Sequence, residues 1–212
     1  MSKKIQLIWQ GPFCWPKFDS ASAAPFDLIL VDACGIYLWT VEYCDGFLIY
    51  AAGITRRSFQ ERFREHTRHY LNGVYTIFDV IALQQGIRTE LWHGFWMKKR
   101  STKKQKEYES RREEIVEAAR NQLSVFRIFV AQVDPTPRIL QRLEASIMNT
   151  LYTSAVPISE IPDRGMMLAP RWQSERPIIA KNIAPVKLHG LPEYLTYLIT
   201  TISPNISVVS LV

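Results

Sequence analysis

Tyr37, Tyr50, Arg62 and His66 fall in one short stretch of the chain, between Gly35 and His69. Two phenols, a guanidinium and an imidazole are a set that can move a proton and neutralise a developing negative charge. A fifth residue, Glu144, falls beside the apolar positions of a later helix. A nearly buried carboxylate without a partner is costly, so this one calls for a cation. That cation is either Arg138 or Arg142 in a salt bridge, or a divalent metal.

The surrounding pattern predicts how these side chains are positioned. Residues 35–41 are apolar, β-branched or aromatic and predict a strand; Asp45-Gly46 is a hairpin turn pair, and Phe47 to Tyr50 is a second short apolar run broken by Gly53. Thr55 or Ser58 then caps a helix over 56–70, with Phe59, Phe63 and Tyr70 as its buried stripe and Asn72-Gly73 as its stop. Arg62 and His66 are four apart and share one helical face. A third apolar segment at 75–83 reads as strand-like or as a mix of loop and strand. Residues 125–133, VFRIFVAQV, are the clearest strand, bounded by Asp134-Pro135. Pro137 opens a final helix at a tolerated position, with Leu140, Leu143, Ile147 and Leu151 on its buried side.

Gly35-Ile36-Tyr37, then Tyr50-Ala51-Ala52-Gly53, then Arg62 and His66, then Glu144 within Leu143-Glu144-Ala145-Ser146-Ile147, occur in that order. This arrangement resembles the GIY-YIG nuclease superfamily over roughly residues 26–151. The first signature is intact. The second is altered: either Tyr50 is the second tyrosine with one residue added before Gly53, or that tyrosine is replaced by Ala51; Tyr50 is the preferred reading. No residue fills the family's late asparagine clearly, since Asn149 follows Glu144 too closely. The resemblance implies an α+β fold, a small central antiparallel sheet flanked by helices, and a hydrolase that cuts DNA as an endonuclease with Mg2+ or Mn2+. It implies Glu144 as metal ligand, Tyr37 as general base with its phenolate favoured by the metal and Arg62, Arg62 on the scissile phosphate, and His66 and Tyr50 as positioning groups.

The bulk of the chain is compatible with that reading. Its 212 residues suffice for one domain with an insertion, and 47% apolar content argues for a packed core rather than disorder. A net charge of +6 and a pI near 9.3 suit a polyanionic partner. Cys14, Cys34 and Cys44 are odd in number and show no metal spacing, which points to a reducing, cytoplasmic setting. No apolar run approaches the ~18 residues of a membrane span, and the N-terminus lacks a signal-peptide core.

The expected organisation is a single GIY-YIG-like domain: an arm at 1–25, a core at about 26–97 and 123–156, a charged helical insertion at about 98–122, and a C-terminal extension at 157–212. The arm is aromatic and reads as packing on the core. Arg56 and Arg57 on the first helix, and Lys98, Lys99, Arg100, Lys103 and Lys104 in the insertion, are candidate phosphate contacts; the alternative is a solvated face. Arg171 and Arg176 lie in a proline- and arginine-rich loop that either reads bases or wraps the core. Residues 191–212 predict a helix and a closing strand, or a dimer surface. With no appended DNA-binding module, the layout looks most similar to the restriction-endonuclease branch, which implies double-stranded DNA and admits a homodimer. Two other readings stay open: a non-catalytic nucleic-acid-binding protein on the same scaffold, and a nuclease of RNA or branched DNA.

Overall fold

Gly35–Tyr43 (β3) sits at the centre of the fold because its nine residues can be apolar on both faces. In the computed structural model, which describes residues 2–18, 23–26, 32–96, 101–164, 166, 168–169 and 171–196, β3 pairs on one side with Gly46–Thr55 (β4) and on the other with Arg127–Gln132 (β7). Both pairings are antiparallel. Gln10–Cys14 (β2) adds to β7 at one edge and Leu188–His189 (β9) to β4 at the other, giving the order β2-β7-β3-β4-β9. The fold is α+β. The sheet is mixed rather than purely antiparallel, because β9 runs parallel to β4, with Phe47 opposite Leu188. A two-residue strand returning from the C-terminal extension carries no periodicity to announce it.

Strand alternation splits the interior into two cores. Tyr37, Trp39, Val41, Ile128 and Val130 face Phe59–Leu71 (α1) and Arg112–Val125 (α4); Ile36, Leu38, Phe129 and Ala131 face Pro137–Thr153 (α5). The β3–β4 register shifts between Trp39 and Thr40, which oppose Ala51 and Ile49, so Tyr50 is an extra residue in a β-bulge. The bulge resets the alternation, so that Gly53 lies opposite Tyr37 and a Cβ there would collide with the Tyr37 hydroxyl. The hairpin turn is formed by Cys44 and Asp45, one residue earlier than the expected Asp45-Gly46 pair, with Cys44 at φ +49°.

The remaining elements frame this centre. Trp15, from the N-terminal arm, is fully buried among Trp39, Phe63, Tyr70 and Phe126, and its indole N–H donates to Thr67 Oγ1 at 2.8 Å. The arm is therefore structural. Lys3–Ile8 (β1), Ile178–Ile183 (β8) and Tyr194–Thr196 (β10) form a second sheet in the order β1-β8-β10. The segment at 75–83 is not one strand: Ile77–Phe78 (β5) pairs with Glu90–Trp92 (β6), and Asp79 caps a short helix, Val80–Gln84 (α2). The charged stretch is two helices, Thr102–Ser110 (α3) and α4, broken at Arg111. Ile115, Ala119, Gln122 and Leu123 of α4 are buried, and the Gln122 amide oxygen accepts from the Phe78 N–H at 2.6 Å. Its rear half is a core layer, not an appendage. The helix expected near the C-terminus lies outside the described residues.

Candidate active site

Helix α1 starts where Ser58 accepts from the Glu61 N–H at 3.2 Å, while Thr55 Oγ1 accepts from the Arg57 N–H at 3.1 Å and fixes the bend before it. From that start, Phe59, Phe63, His66 and Tyr70 fall on the buried side and Arg62 on its flank. The helix thus presents Arg62 and His66 to the Tyr37 hydroxyl, which the missing side chain of Gly53 leaves room for. Tyr37 Oη lies 2.7 Å from His66 Nε2 and accepts from Arg62 Nε–H at 3.3 Å. Arg62 is held by Glu65 at 2.7 Å, and Arg57 binds the same carboxylate oxygen at 2.7 Å.

The network continues through residues the sequence pattern did not single out. His66 Nδ1 is 2.9 Å from Tyr75 Oη, and His69 Nδ1 is also 2.9 Å from that hydroxyl. Tyr75 sits in the loop after α1, where no periodicity marks it. The available signal was His69, three residues after His66 and so on an adjacent part of the helix surface.

Burial governs the protonation states. It holds His66 well below the usual imidazole range, helped by the Arg62 guanidinium, so the ring is neutral at pH 7. It also pushes the Tyr37 phenol above the usual tyrosine range, against the opposing pull of Arg62. Without a metal ion, the resting Tyr37 is therefore a phenol. With a phenolic Tyr37 that accepts from Arg62 and a neutral His66, the distances admit an arrangement in which the Tyr37 O–H donates to His66 Nε2 and the His66 Nδ1–H donates to Tyr75.

Glu144 lies on the flank of α5, half-buried and within electrostatic reach of Arg62 and Tyr37. The two arginines expected as its salt-bridge partners are engaged elsewhere. Arg138 binds Glu175 at 2.5 and 2.7 Å, and Arg142 donates to the Arg176 carbonyl at 2.8 Å. At ~100° per residue, Arg142 points some 200° around the helix from Glu144. Glu144 makes no hydrogen bond or ion pair among the described residues, and burial raises its carboxyl to about 7 although Arg62 pulls it down. No three His, Cys, Asp or Glu side chains converge among the described residues. This donor set fits a hydrated hard cation such as Mg2+ or Mn2+ held by one carboxylate, not a closed multi-ligand site.

Tyr50 is not brought to this cluster. As the bulge residue its ring stacks between Trp39 and Phe126, and its hydroxyl donates to Asp163. Asp163 also accepts from Arg88 at 2.5 Å. Ala51, the residue opposite Trp39, supplies no hydroxyl, and the second phenol near His66 is Tyr75.

The candidate DNA contacts divide. Arg56 is exposed and has no ion-pair partner among the described residues; Arg57 is 59% exposed and shares Glu65 with Arg62, which places both beside the cluster. Lys103 is exposed on the first turn of α3. Lys104 instead packs over Trp92 at 5.2 Å and donates to the Gly94 carbonyl at 3.2 Å. Arg171 donates to the Glu175 carbonyl at 2.6 and 2.8 Å, and Arg176 adjoins Arg142, so this loop belongs to the far flank of α5. Lys98, Lys99 and Arg100 lie outside the described residues. No helix among the described residues is long and apolar enough to cross a membrane. Comparison with protein-family models, with curated proteins and with solved structures gives no match to this chain.

Proposed function

We propose that the chain is a metal-dependent endonuclease of the GIY-YIG type that hydrolyses phosphodiester bonds in double-stranded DNA, in the manner of a restriction enzyme. The observation that carries this reading is the Tyr37 hydroxyl held jointly by Arg62 and His66, with the unpaired Glu144 carboxylate within electrostatic reach. Such a site combines the parts that phosphodiester hydrolysis needs.

Glu144 would hold the divalent ion, which supplies charge neutralisation at the phosphate when bound. Arg62, fixed by Glu65, presents its guanidinium to a phosphate oxygen in the geometry that guanidinium–phosphate pairing favours. Tyr37 orients the attacking water and receives its proton at Oη while passing its own proton to His66 Nε2. A phenol can act as base here only because a neutral imidazole is 2.7 Å away to take that proton. Arg56 and Arg57 extend positive charge along the adjacent duplex backbone.

A second reading, a binding protein that keeps the scaffold without the chemistry, draws on Tyr50 having left the site for the core. Plasmid incubation with Mg2+ against EDTA, wild type beside Glu144→Ala, separates the two. Discrete fragments from wild type alone, and only with metal, are expected. Salt-sensitive binding without cleavage of any DNA would favour the second reading. Diffuse nicking would keep a nuclease but not a sequence-specific one.

A further inference from the structure

Arg62, Tyr37, His66, Tyr75 and His69 form one uninterrupted hydrogen-bonded line, with Tyr37–His66 at 2.7 Å and the two bonds to Tyr75 at 2.9 Å each. It begins at a phenol that is 2% exposed and ends at a half-buried histidine on the last turn of α1. A buried base that takes a proton each turnover has to discharge it, and both His66 ring nitrogens are taken up by Tyr37 and Tyr75.

We propose that Tyr75 and His69 are the outlet for the proton that leaves the attacking water, with His69 as terminal acceptor. The inference rests on the nuclease reading above and extends it to two residues that do not touch substrate. In one turnover the water oxygen bonds to phosphorus and the bond from phosphorus to the leaving oxygen breaks. The water proton moves to Tyr37 Oη and the Tyr37 proton to His66 Nε2. The His66 Nδ1 proton then moves to Tyr75 Oη and the Tyr75 proton to His69 Nδ1. His69 releases its Nε2 proton to solvent and the leaving oxygen takes one from solvent, so no net charge stays in the core, and the two rings, left with their protons on the opposite nitrogens, return to the starting tautomers before the next turnover.

The groups around the outlet suit this task. Burial raises the Tyr75 phenol to about 12, which keeps it a neutral donor and acceptor. His69 is held below the usual imidazole range by burial and by Arg62 and Arg68, with Glu65 opposing them. An acceptor must be neutral, so the rate falls as acid protonates His69, and this limb has its midpoint below the usual histidine value.

Two measurements on the full chain test the proposal. Nitrogen-15 histidine NMR should find His66 neutral with its proton on Nδ1; a proton on Nε2 reverses the line and overturns it. Single-turnover cleavage of a duplex with Mg2+, followed against pH, should fall roughly 10- to 100-fold in Tyr75→Phe. His69→Gln keeps a hydrogen-bond acceptor but cannot take a proton. It should lose roughly tenfold and regain rate with added imidazole. Wild-type rates and an unchanged pH profile in both variants would overturn the outlet while leaving the nuclease reading intact. Absence of cleavage by wild type would overturn both.

Discussion

Glu144 is the residue whose protonation most directly reports what the site wants to bind. Its folded value of about 7 lies above the ~4.3 of an unfolded glutamate, so the folded state favours the proton. The stability this confers is complete below about pH 4, is lost as pH rises to 7, and its loss is of order 3–4 kcal/mol. Without metal, Glu144→Gln should therefore be more stable than wild type at pH 8 and indistinguishable at pH 4, read by thermal unfolding. Mg2+ should raise the melting temperature of wild type at pH 8 and leave Glu144→Gln unmoved, because a ligand stabilises only the state that binds it. Tyr50 makes the opposite prediction. Tyr50→Phe should keep cleavage within about twofold and cost about 1–3 kcal/mol, since it strips a buried acceptor on Asp163 of its donor.

Among the elements, α1 was almost fully readable from the chain. Ser58, the Phe59 and Phe63 stripe and the Arg62–His66 spacing stated where it starts and which side carries Arg62 and His66, because capping and 3.6-residue periodicity are local. The strand at β7 and the helix at α5 were legible for the same reason. The bulge at Tyr50 was not. An extra residue in a strand shows only when its partner is known, and the partner, β3, had the same apolar character on both faces. The partners of Arg138 and of Tyr50, Glu175 and Asp163, lie in irregular segments more than thirty residues away, so no spacing rule reaches them. Tyr75 and His69 were missed because a loop tyrosine is recognisable only by what it touches. At this level the sharpest prediction concerns Trp15. Trp15→Ala removes the ring on which β3, α1 and α4 converge and should cost roughly 3–5 kcal/mol in chemical denaturation, with the loss falling on the whole fold rather than on the site alone.

For the molecule as a whole, the +6 charge is less evenly available than its sum suggests. Lys104, Arg138, Arg142 and Arg171 are spent on ring faces, carbonyls and Glu175, while Arg56 and Lys103 are exposed and Arg57 flanks the site. Phosphate contacts appear as a salt dependence of binding. Arg56→Ala and Lys103→Ala should each reduce the slope of log affinity against log salt by about one, whereas Arg171→Ala should leave it unchanged. Fluorescence anisotropy on one duplex at several salt concentrations reads both. The division between exposed cations such as Arg56 and Lys103 and the paired arginines behind α5 is a property of the assembled fold, and composition alone could not have drawn it.

We propose that the Tyr37 hydroxyl, shared by Arg62 and His66, performs the hydrolysis, and the single-turnover cleavage rate of a duplex in Mg2+ tests this, with Tyr37→Phe beside wild type and duplex affinity measured on both. Tyr37→Phe should lose at least about 100-fold in rate with affinity unchanged, because one oxygen is removed from a ring whose packing stays in place. A Tyr37→Phe protein that cuts at the wild-type rate would contradict it.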